Sequence, residues 1–421
     1  MLARGYYHKI FLLIHDGFYC AHTGAGVHNF RVIKLLRNLF PFSDIEICPI
    51  YTSKLNNDYQ PHWHSKVLDI INKDNLKFYP IDNNSNGMNR YGGLREWRIE
   101  SQSAAHHILD YVKNDKNILC ISIDTPFIQT IPALANANNV HHLHIPKSSG
   151  IIHSPENQSR ILLERKIYSH IPDNTRIGEI GRYMKKHLIT DYGLDKDKIV
   201  PAHNGCVAED CSSLEKSLTK YLEKKWHLDT DDRKVICAYG RSIKYKGFHT
   251  LVNAMSALPN NHYRLLLNAN TDSIESEKYK ASLVELAKRK NVSLEIHTEF
   301  DPYFPKFIRR HNKTIAIVVP SLNEPFGLIP SETFFDPKAK AIIICSNADG
   351  LPYQVSNRIT GLIFERSSSE SLMSTLVNVC SMSLNDRNRM LTSAHNFALK
   401  NFDLENNLLR CFDKFLQSIN S

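Results

Sequence analysis

Short runs rich in Ile, Val and Leu alternate with longer amphipathic segments along the whole 421-residue chain. Runs such as KIFLLI and TIAIVV are apolar on both faces, whereas segments such as SEKYKASLVELAKRK carry apolar residues at helical spacing. Strands that are apolar on both faces are typical of parallel sheets covered by helices on each side. The sequence therefore predicts a doubly wound α/β protein.

The pattern starts twice. A strand, a turn and a helix are predicted in FLLIHDGFYCAHTGAGVHNF and again in VICAYGRSIKYKGFHTLVNA, and the polar segment KYLEKKWHLDTDDRKV separates the halves. We predict two Rossmann-like domains facing across a cleft, one over residues 1–225 and one over 226–400. Ligands of such folds bind at the carboxyl ends of the strands.

Charge and cysteine content limit the partners and the compartment. The net charge of +9 favours anionic partners such as nucleotides, but no block of five or six basic residues predicts a nucleic-acid tail. Nine scattered cysteines without a CxxC motif are typical of a reduced, cytoplasmic protein. No run approaches the ~20 apolar residues of a membrane span, and the N-terminal apolar run is interpreted as a buried first strand rather than a signal peptide.

Two glutamates flank a glycine turn in the stretch PSLNEPFGLIPSETF. It follows the apolar run TIAIVVP, so Glu324 is predicted in a loop and Glu332 in the first turn of a helix with Pro330 at its first position. Gly327 lets a ligand approach the backbone, the helix N-terminus suits an anion, and carboxylates accept hydrogen bonds from hydroxyl groups. A phosphorylated, polyhydroxylated ligand fits this pattern; a solvated loop glutamate and a dipole-favoured helix glutamate are the structural alternative.

Two cations follow the strand VICAYG that opens the second half. Arg241 and Lys246 offer a planar fork and a point charge, which together suit a diphosphate. A basic surface turn explains the same residues without any ligand.

A glycine turn opens the first half in AHTGAGVHNF. Gly24 and Gly26 resemble the start of a G-x-G-x-x-G fingerprint, although Asn29 replaces the third glycine, and Asp44 follows at about the expected distance. A nicotinamide-dinucleotide site is therefore one hypothesis, and a tight turn without a ligand is another.

Histidines cluster in VHHLHIPKSSGIIH, at His141, His142, His144 and His153. No cysteine or carboxylate lies at ligand spacing nearby, so we predict no metal site. One histidine reaching a ligand at the strand's carboxyl end and a structural histidine with satisfied hydrogen bonds remain open.

Taken together, these stretches resemble the retaining glycosyltransferases of the two-Rossmann-domain (GT-B) type, sequence family 4. The resemblance spans nearly the whole chain and is closer in the second half. The elements that carry it are TGAG, His144, IGEIGRYMKKHL with IVPAHNG, GRSIKYKG, PSLNEPFGLIPSE and DGLPYQVSNRITGLIF. It implies a metal-independent hexosyltransferase without a cofactor, whose co-substrate is a nucleotide-diphosphate sugar, UDP-sugar by family frequency.

The resemblance also implies roles for individual residues. Glu324 would face the donor sugar and Glu332 the ribose, while Arg241 and Lys246 would hold the diphosphate. His144 would lie near the sugar. The remaining donor-binding positions implied are Gly24, Gly26, Phe326, Gly327, Leu328 and Ile329. A C-terminal helix over residues 401–421 would cross back to the first domain.

The acceptor is less well defined by the sequence. Asp16 and Asp124 end predicted strands of the first half and are candidates to bind a cationic acceptor, such as an aminocyclitol. Lipid-linked sugars, polysaccharides and other small metabolites remain open. A non-catalytic protein whose basic helix RVIKLLRNLF contacts an anionic membrane is a third hypothesis beside the transferase and the oxidoreductase.

Overall fold

A computed structural model describes residues 5–21, 23–112, 117–271 and 273–420. The chain forms two compact units, residues 1–205 with 403–421 and residues 206–402. Each unit contains one parallel sheet with helices. The prediction of two doubly wound α/β domains is confirmed.

The first unit contains a seven-stranded sheet in the order β3-β2-β1-β4-β5-β6-β7. The strands are β1 (Lys9–Ile14), β2 (Asp44–Pro49), β3 (Lys77–Phe78), β4 (Ile118–Ile123), β5 (Val140–Ile145), β6 (Thr175–Glu179) and β7 (Ile199–Pro201). The helices are α1 (Gly24–Leu39), α2 (Pro61–Lys73), α3 (Leu94–Tyr111), α4 (Thr130–Ala133), α5 (Gly150–His153), α6 (Gln158–Tyr168) and α7 (Arg182–Tyr192). β1 and β4 are buried at every residue, as expected for strands covered on both faces.

The second unit contains a six-stranded sheet in the order β10-β9-β8-β11-β12-β13. The strands are β8 (Lys234–Arg241), β9 (Tyr263–Asn270), β10 (Leu294–His297), β11 (Thr314–Val319), β12 (Ile342–Ser346) and β13 (Leu362–Phe364). The helices are α8 (Lys216–Lys225), α9 (Phe248–Met255), α10 (Ile274–Arg289), α11 (Phe304–Arg310), α12 (Leu328–Phe335), α13 (Ser369–Ser381) and α14 (Leu384–Asn401). Its core contains residues of β8, β9 and β11 packed with α9, α10 and α13.

The last helix, α15 (Leu404–Ile419), belongs to the first unit. It packs against β6, β7 and α1, and Phe412 contacts Phe40 of the same unit with ring centroids 4.9 Å apart. Its apolar stripe, which includes Leu408 and Phe415, is buried by this packing.

The border between the units falls between Gly205 and Cys206 rather than after residue 225. The polar stretch that separates the halves in sequence includes α8, and this helix packs against α11 of the second unit. Its one buried side chain, Leu222, accounts for that packing. The charged stretch therefore reflects the exposed face of α8 and does not coincide with the border between the two units.

The basic segment RVIKLLRNLF lies within α1. Its apolar side chains, including Val32, Ile33 and Leu36, are buried, and even Arg31 is 4% exposed. The helix covers the sheet of its unit, which is the structural alternative to a membrane-binding role. Within the described residues, none of the helices is both long enough and apolar enough to cross a membrane.

Candidate functional site

Two cations lie at the carboxyl end of β8. Arg241 is the last residue of this strand, and Lys246 ends the short 3₁₀ turn that follows it. The Lys246 Nζ atom lies 2.6 Å from Glu324 Oε2. Burial alone would lower the pKa of Lys246, but the adjacent Glu324 carboxylate outweighs this effect and the pKa is raised. Lys246 is therefore cationic at neutral pH.

Glu324 follows β11, the strand next to β8 in the sheet. Because parallel strands end at the same edge, the two motifs meet there. Ser321 Oγ lies 3.2 Å from Glu324 Oε2, and the Glu324 N–H donates to Asp349 Oδ2 at 2.7 Å. The Gly350 N–H donates to the Glu324 carbonyl oxygen at 2.9 Å. Backbone and carboxylate of Glu324 are thus both fixed.

The loop between Glu324 and α12 turns at Gly327, where φ is 82°. A Cβ atom at this position would lie 2.9 Å from Glu324 Cγ, so both the backbone angle and the close approach require glycine. Gln354 Nε2 donates to the carbonyl oxygens of Phe326 and, at 2.9 Å, Gly327. This side chain holds the loop from the opposite side.

The helix after this loop begins earlier than the sequence indicated. α12 starts at Leu328 and includes Ile329, so Pro330 is its third residue and Glu332 its fifth. The predicted placement of Pro330 at the first position and of Glu332 in the first turn was wrong. Proline is tolerated at the third position because its missing N–H is still one of the four without a partner inside the helix.

Two residues that support the glutamate loop, Asp349 and Gln354, were not assigned roles from the sequence. Both belong to the stretch DGLPYQ, which follows β12. The only signal was that this stretch formed part of the resemblance. Its hydrogen bonds to Glu324 and to Gly327 show that it supports the glutamate loop.

In the first unit, the glycine turn is built around Asp16. Thr23 Oγ1 donates to Asp16 Oδ2 at 2.5 Å and accepts from the Gly26 N–H at 3.1 Å. A Cβ atom on Gly26 would lie 2.6 Å from Asp16 Oδ2. Gly26 is buried and Gly24, the first residue of α1, is exposed. The close approach of Asp16 explains the need for glycine at position 26.

The Asp16 carboxylate already has a cationic partner. Arg90 Nη1 lies 3.2 Å from Asp16 Oδ1, both side chains are almost fully buried, and the Gly17 N–H donates to the same oxygen at 2.9 Å. Arg90 comes from the polar segment NNSNGMNRYGGLREW and was not among the residues selected from the sequence. Arg90 also pairs with Asp58, whose Oδ2 lies 2.8 Å from Arg90 Nε, so the two carboxylates together outnumber this one cation.

The nicotinamide-dinucleotide hypothesis is not supported. Asp44, its acidic residue, is the first residue of β2 and therefore lies at the amino edge of the sheet. Its carboxylate pairs with Lys9 at 3.0 Å and Lys77 at 3.1 Å. Asn29, in place of the third glycine, donates to the Asp16 carbonyl oxygen at 2.9 Å and so helps to build the turn.

Asp124 follows β4 and has an unusual backbone. Its φ of 78° and ψ of 160° lie in a region that glycine alone adopts without strain. The carboxylate accepts from the Thr125 N–H at 2.8 Å and from Ser148 Oγ at 3.1 Å. Burial would raise the pKa of Asp124, but His15 and the Thr125 N–H outweigh it, and the pKa is lowered. Strained, half-buried and ionised, Asp124 is a candidate to bind a ligand.

The four predicted histidines do not converge on one point. His141 Nδ1 lies 2.9 Å from the Tyr7 hydroxyl, and His153, on α5, contacts the Ser149 carbonyl oxygen. His142 and His144 share the hydroxyl of Ser122 instead and are fully buried. Burial lowers the pKa of His144 to about 4, so it is neutral at pH 7.

Within the described part of the chain, one group could hold a metal ion, and it lies elsewhere. Ligand atoms of Glu46, Cys48 and His107 lie within 4.8 Å of one another. Glu46 is already paired with Lys9 at 2.6 Å and with His107 at 2.8 Å. These partners satisfy the carboxylate without a metal.

Comparison with known proteins places the similarity in the second half. Residues 189–396 match the family model "Glycosyl transferases group 1". A D-inositol 3-phosphate glycosyltransferase of Corynebacterium aurimucosum is 23% identical over 255 residues, which is 59% of this chain and 56% of that protein. The chain thus spans about half the length of the curated relatives it matches.

Solved structures share the fold over nearly the whole chain. A glycosyltransferase of Rickettsia africae aligns with a TM-score of 0.73 and 17% identity over 98% of this chain and 99% of that one. Anabaena HepE, solved in complex with UDP and glucose, aligns with a TM-score of 0.71 and 13% identity over 95% and 97% of the two chains. The family model covers residues 189–396, and these solved structures show the GT-B fold of two Rossmann-like domains over nearly the whole chain.

Proposed function

We propose that this protein is a retaining, metal-independent glycosyltransferase of sequence family 4 that uses a nucleotide-diphosphate sugar. The observation that carries this proposal is the Lys246–Glu324 ion pair at the carboxyl edge of the second sheet. It combines a fixed cation for a phosphate with a fixed carboxylate for sugar hydroxyls at a single point.

Breaking the bond between a sugar and a diphosphate builds negative charge on the leaving phosphate. In our proposal, Lys246 and Arg241 stabilise that charge, and the backbone from Phe326 to Ile329 at the start of α12 contacts phosphate and sugar oxygens. Two fixed cations supply the charge that a metal ion would otherwise provide. The proposal therefore includes neither a metal nor a cofactor.

Retention is proposed from the resemblance to the retaining enzymes of family 4, and the state of Glu324 bears on the route by which it would occur. Its carboxylate is engaged by Lys246 and by Ser321, so it is poorly suited to act as a nucleophile. We propose instead that the acceptor hydroxyl attacks from the face that the diphosphate leaves. Glu324 would orient the sugar through its hydroxyl groups, and Glu332 would bind the ribose.

We propose UDP as the nucleoside diphosphate. HepE, which shares the fold, was solved with UDP-glucose as well as with UDP and glucose. UDP-glucose is therefore the first donor to test.

We propose that the first unit binds a small polyhydroxylated acceptor at the carboxyl end of β4 and β5. Asp124 would accept a hydrogen bond from an acceptor hydroxyl, and His144 would contact a sugar oxygen. The relatives named for D-inositol 3-phosphate suggest a cyclitol.

A thermal-shift screen tests the donor half of this proposal. UDP, GDP, ADP, dTDP, NADH and NADPH are added separately, because a ligand that binds the native state alone raises its stability. We expect a shift with one nucleoside diphosphate that is lost in Glu332→Ala. A shift with NADH or NADPH alone would contradict the proposal.

A further inference from the structure

A buried chain of hydrogen bonds links two strands of the first unit. Ser122 on β4 is the Cα partner of His144 on β5, and His142 lies two residues earlier on the same face. Ser122 Oγ lies 2.8 Å from His142 Nε2 and 2.9 Å from His144 Nδ1. All three side chains are fully buried, so their hydrogen bonds are not exchanged with bulk water.

Thr130, on α4, determines which groups donate and which accept in this series of hydrogen bonds. Thr130 Oγ1 donates its only proton to the Phe127 carbonyl oxygen at 2.6 Å. The same oxygen lies 3.3 Å from His142 Nε2 and can only accept there. His142 therefore carries its proton on Nε2. Its Nδ1 atom, which has no hydrogen-bond partner among the described residues, is the unprotonated nitrogen.

The proton position on His142 in turn determines the donor and acceptor roles of Ser122 and His144. The His142 Nε2–H faces Ser122 Oγ as well as Thr130 Oγ1, so Ser122 accepts from it. The Ser122 hydroxyl proton is then free to donate to His144 Nδ1. His144 Nδ1 is consequently bare, and its proton lies on Nε2. The His144 Nε2 atom is buried and has no hydrogen-bond partner among the residues that the structure describes.

Each of the other neutral arrangements loses an interaction within this set of groups. If both histidines donated to Ser122 Oγ, the buried Ser122 hydroxyl would have no acceptor. If Ser122 donated to His142 Nε2, that nitrogen and Thr130 Oγ1 would face each other as two acceptors, and the Nδ1–H of His142 would be buried without a partner. If His144 were doubly protonated, the Ser122 hydroxyl would have no acceptor and a charge would be buried. Burial lowers the pKa of both histidines, His142 to about 3 and His144 to about 4, which agrees with two neutral rings.

We infer that Ser122 is a positioning residue that holds His144 in its neutral Nε2–H tautomer. His144 is thereby a hydrogen-bond donor to a substrate oxygen and not a proton acceptor. The inference rests on the proposed function only for the identity of that oxygen, which would belong to a sugar. A buried N–H without a partner is costly, and a ligand oxygen would satisfy it once binding brings that oxygen to the nitrogen, which is buried in the unliganded protein.

Histidine-selective nitrogen-15 NMR of the full chain at pH 7 tests the tautomer directly. The long-range spectrum shows which nitrogen of each neutral ring carries the proton, and His144→Gln identifies the His144 signals. We expect protonated Nε2 and bare Nδ1 for His144. Protonated Nδ1 in the unaltered protein would overturn the inference, whether or not the protein transfers sugars.

Two serine variants test the role of Ser122. Ser101→Ala is the matched control, because Ser101 is equally buried in the same unit and donates to the Pro126 carbonyl oxygen at 3.0 Å without contacting a histidine. We expect Ser122→Ala to mix the two His144 tautomers and to lower the kcat of UDP-glucose turnover about tenfold, the effect of one hydrogen bond. Ser101→Ala should change neither.

An unchanged His144 tautomer in folded Ser122→Ala would overturn the inference, as would kcat values equal to those of Ser101→Ala. If none of the proteins turns over UDP-glucose, the proposed donor fails, and the NMR result still decides whether Ser122 sets the tautomer. The two failures are therefore distinguishable.

Discussion

Lys246 Nζ and Glu324 Oε2 lie 2.6 Å apart, although the residues are separated by 78 positions in the sequence. Their side chains are 20% and 16% exposed, so the pair is only weakly screened by solvent. Each residue follows one of two adjacent strands, and the turn after β8 is joined to the loop after β11 by the Leu322 N–H, which donates to the Tyr245 carbonyl oxygen at 2.6 Å. The pair holds both charges in place before a ligand binds.

Removing either member of this pair should abolish most of the turnover. We expect Lys246→Ala to lower kcat by about 10² to 10³, the usual effect of removing one group that stabilises developing charge. Glu324→Ala should have a similar effect, because it also leaves Lys246 without its partner. Initial rates of UDP release from UDP-glucose measure both, with circular dichroism as the check on folding.

Lys244→Ala is the control for this experiment. Lys244 lies on the same 3₁₀ turn but is exposed. Its removal should leave kcat within a factor of two of the unaltered protein. Near-normal turnover in a folded Lys246→Ala or Glu324→Ala protein would contradict the roles given to the pair.

Gly26 should be intolerant of a side chain because of Asp16. A Cβ atom would lie 2.6 Å from Asp16 Oδ2, and this carboxylate cannot move away without losing Arg90. We expect Gly26→Ala to lower the free energy of unfolding by about 1–3 kcal/mol, the usual cost of overpacking. Urea unfolding measures this, with Gly5→Ala as the control, since a Cβ atom on Gly5 has no atom within 4 Å. Equal stabilities for the two variants would contradict the steric argument.

The backbone strain at Asp124 should be measurable with two substitutions. Asp124→Gly and Asp124→Ala both remove the carboxylate, but glycine alone adopts φ of 78° and ψ of 160° without strain. We expect the glycine variant to be more stable than the alanine variant by about 1–3 kcal/mol. Chemical denaturation measures the free energy of unfolding of both variants. An alanine variant as stable as the glycine variant would show that the backbone angles at position 124 are not strained.

Stability should decrease in acid partly because of His144. Burial lowers its pKa in the folded protein from 6.5 to about 4, so between these pH values the unfolded chain binds a proton that the folded chain does not. The free energy of unfolding therefore falls as the pH falls from 6.5 to 4, by roughly 3 kcal/mol for this residue.

Urea unfolding at both ends of this pH range measures the loss. The His144→Gln variant should lose less stability over the range than the unaltered protein. His106→Gln is the control, because the His106 side chain is 83% exposed. An identical loss in His144→Gln and in the unaltered protein would show that His144 does not contribute.

The strands could be predicted from the sequence because parallel strands are buried on both faces and leave continuous apolar runs. Strands β1 and β11 lie on the apolar runs KIFLLI and TIAIVV, whereas β3 is exposed and β10 is half-buried. The border between the units could not be read in the same way, because the charged stretch around α8 reports solvent exposure and not chain connectivity.

The candidate site was predictable in composition but not in its contacts. Glu324 and Lys246 were selected separately, and only the adjacency of β8 and β11 in the sheet brings them together. Arg90 beside Asp16 and Ser122 between two histidines lie in segments without local motifs. Such partners depend on long-range packing, which no local pattern of residue types specifies.

Release of a nucleoside diphosphate from its glucose conjugate tests the central claim most directly. UDP-, GDP-, ADP- and dTDP-glucose are incubated with myo-inositol as acceptor, and product NMR reports the anomeric configuration of the transferred sugar. We predict turnover with UDP-glucose and not with the other three donors, lowered by about 10² to 10³ in Lys246→Ala and with the donor's configuration retained in the product. Release from every donor no faster than with Lys246→Ala, or a product of inverted configuration, would contradict the account.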